Sequence, residues 1–186
     1  MEKSIFAKPR NSEMKYNEIY FWTATINQWQ HLLTKDKFKE IIISSLRYLC
    51  DQQKIKVYAF VIMPNHIHLI WKLLEPNGRE SPKASFLKYT AHEFKKMIRD
   101  DASINLTNFY VDAFNKNYEF WQRDPLAIIL YSKPVMLQKL EYIHNNPLAS
   151  HWNLAKDPND YFYSTAKYYI ADNKNFDFLS DILDEF

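Results

Sequence analysis

Glycine is nearly missing. The 186-residue chain has one, Gly78, where ordinary usage of about 7% would supply roughly thirteen. Walker-type phosphate loops and dinucleotide-binding fingerprints need several glycines close together, because only glycine lets backbone amides approach a phosphate from left-handed turns. Both function classes are therefore excluded. Cysteine is as scarce: the single Cys50 rules out an intrachain disulfide and a multi-cysteine zinc site, and suits a reducing compartment. It shares a helical face with Ile43 and Leu46, which makes it a core residue. No run approaches the roughly 18 apolar residues of a membrane span, and MEKSIFAKPRNSEMKYNE contains no apolar signal segment. A cytoplasmic protein with no membrane partner is expected. An excess of one charge is also lacking, since 24 Lys and Arg face 22 Asp and Glu. Any site for a polyanion must then be a local patch.

What the chain has in quantity is aromatic: 13 Tyr, 13 Phe and 5 Trp. An AT-rich genome would give the same bias without any functional meaning. The length suits one domain over residues 1–186, able to bury about 70% of its unfolded surface. Its core is expected over about 18–147, with an extension over about 148–186.

The segment EIYFWTATI, 18–26, is β-branched and aromatic without a breaker and reads as a strand. Residues 27–34 connect it to an amphipathic helix over 35–52, with Phe38, Ile42, Leu46 and Leu49 on one stripe. KIKVYAFVIM, 54–63, is apolar on both sides and reads as a central strand. After Pro64-Asn65 a second strand, 66–73, should pair with it antiparallel. A helix over 83–99 places Leu87, Ala91, Phe94 and Ile98 on one stripe. Residues 100–119 read as a long polar loop, 126–131 as a strand, and 133–146 as a helix stopped by Pro147. The aromatics of DYFYSTAKYYI fold back over the core, followed by an acidic tail. The order β-α-β-β-α-β predicts an α+β, ferredoxin-like (RRM-like) antiparallel sheet with helices on one face, plus a further C-terminal helix.

His66 and His68 flank Ile67, and residues two apart on a strand share a face. Two imidazoles so placed can share a divalent metal. Alone, the same triplet also suits an ordinary solvent-facing strand. A histidine-triad hydrolase needs a third histidine where Ile70 stands. On the helix over 133–146, Met136, Leu137, Leu140 and Ile143 lie within about 60° of Leu140, whereas Tyr142 lies about 200° away among Gln138, Lys139, Asn145 and Asn146. Asn146, one turn beyond Tyr142, could add a carbonyl oxygen to a metal site begun by the histidines. His144 faces away from Tyr142. Lys88, His92, Lys95, Lys96 and Arg99 form a basic stripe, which is also what a solvated helix face looks like.

MPNHIHLIW resembles the His-hydrophobic-His (HUH) motif, and FWQRD followed by EYIHNNPLA and DYFYSTAKYY resembles the downstream signature of single-tyrosine HUH transposases. The chain is most similar to the REP-associated tyrosine transposases, relatives of the transposases of the smallest insertion sequences, in register from about 18 to 170. The resemblance implies that His66 and His68 bind a divalent ion, Mg²⁺ or Mn²⁺, that Tyr142 is the nucleophile, and that Asn146 helps hold the metal. It implies attack of the phenolate on a phosphodiester of single-stranded DNA beside a hairpin, with the ion polarising a non-bridging oxygen, a 3′-OH leaving and a 5′-phosphotyrosine remaining. A second 3′-OH can reverse that step, so joining needs no ATP. Lys88, His92, Lys95, Lys96, Arg99 and Arg123 would then contact DNA, with exposed aromatics stacking on bases. Relatives include monomers and homodimers that exchange the tyrosine helix. The competing readings are a domesticated, catalytically silent binder of single strands or hairpins, and a metal hydrolase of small phosphodiesters.

Overall fold

The computed structural model describes residues 13–101, 103–113, 116–173 and 175–186. Its main sheet grows from segments without helix breakers. In β1 (Ile19–Thr25), Tyr20, Trp22 and Ala24 point to one side and Ile19 and Phe21 to the other. β2 (Ile55–Ile62) and β3 (His66–Leu73) are joined through Pro64-Asn65, and the Met63 N–H donates to the His66 carbonyl at 2.8 Å. The expected antiparallel hairpin is present, from Ile55 opposite Leu73 to Ile62 opposite Ile67. Two further strands, β4 (Tyr110–Ala113) and β5 (Lys116–Tyr118), form a separate ribbon, and β6 (Leu126–Ile129) pairs antiparallel with β1. The main sheet runs β2-β3-β1-β6, with all neighbours antiparallel.

Helices α1 (Asp36–Asp51) and α2 (Pro82–Arg99) cover one face. α2 starts where Ser81 accepts from the Ala84 N–H at 3.2 Å, with Pro82 in the first turn where a missing N–H costs nothing. Its buried ridge is Phe86, Thr90, Phe94 and Ile98, while Leu87 and Ala91, expected on it, lie half-buried on the flank. The shift has a physical cause. The Thr90 hydroxyl donates to the Phe86 carbonyl (2.8 Å) and accepts from Trp121 Nε1 (2.9 Å), so a satisfied polar group occupies a core position that an apolar pattern skips. Trp22, Trp71, Phe86, Phe94 and Trp121 form a chain of ring contacts with centroids 4.9–6.3 Å apart. Each such buried ring contributes about 1.5–3 kcal/mol of transfer free energy.

The stretch read as a loop over 100–119 is partly regular. A short 3-10 turn, Leu106–Phe109, leads into the β4–β5 ribbon, and Phe109 stacks on Phe120 at 4.7 Å. Residues 102, 114 and 115 of that stretch lie outside the described residues.

The opposite face of the sheet is covered as well. There α3 (Lys133–Asn145) packs Met136, Leu140 and Ile143 against Phe21, Tyr58, Val61 and Ile70, joined by Ile182. The C-terminal segment returns along the outer edge of β2, where Ser164 bridges Val61 and Leu179 bridges Val57. Within it α4 (Ala166–Ala171) brings the Tyr169 hydroxyl to the Tyr58 carbonyl at 2.9 Å. Glu185 accepts hydrogen bonds from Tyr58, Lys56 and Lys72. Although burial pushes the Glu185 carboxyl up, these three donors together hold it down at about 2. Cys50, near the end of α1, is half-buried against the core, and burial pushes its thiol up to about 12, which keeps it unreactive at neutral pH. Among the described residues no helix is long and apolar enough to cross a membrane.

The glycine shortage leaves its mark on the backbone. Gly78 takes a left-handed turn, and Asn17, Gln28, Trp29, Gln53, Asp124, Asn153 and Asp172 do so without being glycine. Asn and Asp tolerate that conformation, but for a bulky residue such as Trp29 (φ 57°) it is strained.

Candidate active site

The strand alternation that sends Ile67, Leu69 and Trp71 toward α1 and α2 sends His66 and His68 to the α3 face. Both imidazoles are buried, with ring centroids 4.6 Å apart. This differs from a solvent-facing pair, and each ring is held by a neighbour. Asn65 Oδ1 lies 2.7 Å from His66 Nδ1, and the same amide donates from Nδ2 to the Trp29 carbonyl at 3.4 Å, which fixes its orientation. Thr23, directly opposite His68 in the β1–β3 register, places Oγ1 2.7 Å from His68 Nδ1. In the tautomers where both Nδ1–H groups donate, each Nε2 is left as a lone-pair donor. His68 Nε2 is buried without a hydrogen-bond partner among the described residues. Burial, reinforced by His151, pushes His66 down to about 4; burial, then His66 and Lys139, pushes His68 well below its ordinary value. Both rings are therefore neutral at physiological pH, the form that ligates a metal.

Helix α3 brings the third element. Pro134 lies in its first turn, and the helix gives way at Asn146 to a 3-10 turn through Pro147. Tyr142 is 48% exposed, as expected for the polar side of the helix. Its ring nevertheless reaches the sheet, edge-on to His68 at 5.2 Å and to Phe21 at 5.9 Å. Asn146 is half-buried, and its Oδ1 is a second buried acceptor without a partner among the described residues. His66, Tyr142 and Asn146 line one cleft of about 400 Å³, together with Trp29, His151 and Trp152. Among the described residues no three His, Cys, Asp or Glu side chains converge as metal ligands. Two neutral imidazoles and an amide oxygen are the donors present, a set that suits a divalent ion with positions left over for phosphate oxygens.

His144 faces the other way, buried against Thr165 Oγ1 at 3.1 Å. Sequence reasoning did not single out Lys139, which stands one turn before Tyr142 with Nζ 5.8 Å from its ring centroid and 5.0 Å from that of Phe21. Its position three residues from the tyrosine was the signal that could have found it. Asn65, Thr23, Trp29 and Trp152 were also missed, because only strand register and chain crossing bring them here.

The basic residues fall elsewhere. Lys88, His92, Lys96 and Arg99 are exposed on α2, across the sheet from the histidines, and Lys95 lies over the Tyr118 ring at 4.5 Å. Lys88 pairs with Glu80 (2.7 Å) and Arg123 with Glu119 (3.1 Å). Lys88 and Arg123 line a shallow groove that includes Tyr118 and Trp121. The stripe and the histidine–tyrosine cluster are thus two separate surfaces.

No protein-family model matches the chain. A curated relative from Haemophilus influenzae, described as a REP-associated tyrosine transposase, is 23% identical over 136 residues, which is 70% of this chain and 70% of the relative. The chain is similar to the REP-associated tyrosine transposases. A solved structure of a REP-associated tyrosine transposase bound to a REP hairpin aligns with a TM-score of 0.56 at 18% identity, covering 86% of this chain and 84% of that one. The likeness to this transposase structure supports the mixed α+β fold, with an antiparallel sheet flanked by helices.

Proposed function

We propose that the protein is a metal-dependent single-strand DNA transesterase of the HUH single-tyrosine type, acting on DNA beside a REP-like hairpin. The observation that carries the reading is the position of the Tyr142 ring against His68, in a cleft it shares with His66 and Asn146. The ferredoxin-like assignment belongs to the same proposal and is supported by the β-α-β-β-α-β order of the core and the β2-β3-β1-β6 sheet.

In this mechanism His66, His68 and Asn146 hold a divalent cation, Mg²⁺ or Mn²⁺, which when bound draws charge from a non-bridging phosphate oxygen. Asn65 and Thr23 fix the two rings, so the lone pairs need no reorganisation when the ion and substrate arrive. Tyr142 Oη attacks phosphorus. The Oη–P bond forms as the P–O3′ bond breaks, the phenol proton passes to water at the half-exposed ring, and the departing 3′ oxygen takes a proton from water. Lys139 offers positive charge beside the ring, where negative charge gathers on Oη and the phosphate oxygens. Attack of another 3′-OH on the phosphotyrosine reverses the step and joins a new pair of ends. Lys88, His92, Lys95, Lys96, Arg99 and Arg123 are proposed as contacts to the hairpin stem or flanking strand, away from the reacting phosphate.

The test is incubation with hairpin-containing single-stranded DNA and Mg²⁺ or Mn²⁺, followed by denaturing electrophoresis. A covalent protein–DNA adduct is expected for the wild type, abolished by chelator and by Tyr142→Phe. Tight hairpin binding with no adduct, indifferent to chelator, indicates the silent binder. An adduct that persists in Tyr142→Phe overturns the assignment of the nucleophile.

A further inference from the structure

Trp29 is 60% exposed, yet its backbone and that of Gln28 both hold the left-handed conformation that side chains rarely adopt. A tryptophan in the core would offset such strain by burial; an exposed one does not. Strain retained without packing is characteristic of residues held in place for a ligand. The turn is fixed from two sides, by the Trp29 N–H donating to the Ile26 carbonyl at 3.0 Å and by the Asn65 amide donating to the Trp29 carbonyl. That same amide holds His66. The aromatic wall and the catalytic histidine are therefore positioned by one side chain. Trp152 adds a second flat surface in the same cleft, its ring 5.8 Å from His66 and 5.3 Å from His151. None of the side chains lining the cleft is a carboxylate, so an anionic strand meets no like charge.

We propose that Trp29 is the stacking platform for an unpaired nucleobase of single-stranded DNA, the base next to the phosphate presented to His66 and Tyr142. The proposal rests on reading this cleft as a single-strand DNA site. Flat aromatic faces beside a phosphate-handling centre suit a base and its own backbone simultaneously, and such stacking tolerates any base because every base has a π face. The Asn65 bridge makes the platform positional: a base on Trp29 sets which phosphate lies at the histidines.

The test uses the full chain and hairpin-containing single strands in which 2-aminopurine replaces each unpaired position in turn, with Mg²⁺ present. One position is expected to show strong fluorescence quenching. Trp29→Ala abolishes that quenching and weakens binding about tenfold, while Trp29→Phe stays within about twofold. An abasic site at the quenched position weakens wild-type binding by the same factor and weakens Trp29→Ala no further, as coupled partners require. Binding by Trp29→Ala within about twofold of wild type, an abasic penalty that simply adds to it, or no single-strand binding by the wild type overturns the proposal. Trp29-dependent quenching without any covalent adduct would overturn the transesterase reading and leave the stacking site standing. Adduct formation with Trp29-independent binding would do the reverse.

Discussion

β3 sends Ile67, Leu69 and Trp71 to the face covered by α1 and α2, and His66, His68 and Ile70 to the face covered by α3. The first face is packed with rings and aliphatic chains; Thr90 is paired there, whereas the indole N–H groups of Trp22 and Trp71 are buried without a hydrogen-bond partner among the described residues. The second face has its own apolar cluster around Phe21, Tyr58, Met136 and Ile143, but beside it lie two buried lone-pair atoms with no partner among the described residues. Leaving a buried polar atom unsatisfied costs about 1–3 kcal/mol. Both faces carry that penalty, but in different settings: the orphaned indole donors are sealed inside an apolar core, whereas His68 Nε2 and Asn146 Oδ1 are acceptors of residues beside Tyr142 and the cleft, where a ligand can engage them. Neighbouring residues of one strand reach both settings because the pleat alternates.

The largest effect expected from this contrast is on stability. Trp71→Ala should destabilise by about 3–5 kcal/mol in a denaturant titration, as removal of a fully buried ring does. Tyr142→Phe, which removes only a hydroxyl from a half-exposed ring, should stay within about 0.5 kcal/mol. Comparable losses for the two would erase the distinction between the faces.

Next in size is an acid dependence from the α3 face. Burial pushes His144 down to about 4, against an ordinary value of 6.5, so the fold favours its neutral form. Between those limits the unfolded chain binds the extra proton. The stabilising preference is complete above pH 6.5 and is lost as pH falls through that window, by about 3 kcal/mol in full. Urea midpoints measured from pH 7 to pH 4.5 should fall, and His144→Gln should flatten part of that fall; a parallel curve for the variant would show that His144 is not the group responsible.

The smallest effect is kinetic. Lys139→Met should slow adduct formation about tenfold while leaving the urea midpoint unchanged, and Lys139→Arg should recover most of the rate. A rate equal to wild type in the Met variant removes Lys139 from the mechanism.

The β3 limits, His66 and Leu73, were legible residue for residue, because Pro64-Asn65 interrupts the chain before them and Ile67, Leu69, Trp71 and Leu73 then recur at the strand period of two. α1 was legible because Phe38, Ile42, Leu46 and Leu49 repeat at helical spacing. The β4–β5 ribbon was not: its strands are too short and polar to show a period of their own, and the contacts around them, Tyr110 on Tyr118 and Phe109 on Phe120, join residues that no local periodicity links. In the site, the shared face of His66 and His68 followed from strand geometry, and Tyr142 from its exposed side of α3. A helical wheel placed that tyrosine opposite the buried face but carried no information on the reach of its ring to His68. Thr23 and Asn65 acquire their meaning from register and chain crossing, which no local pattern encodes.

The C-terminal return along β2 has a quaternary consequence. Ser164 and Leu179 bridge the outer edge of β2, so the sheet is closed to strand addition there. Among the described residues the opposite margin is β6, four residues long, with Leu126 and Ile129 exposed. Continuation of the main sheet between two copies has, among the described residues, this one short landing place, and a larger interface would have to use other elements.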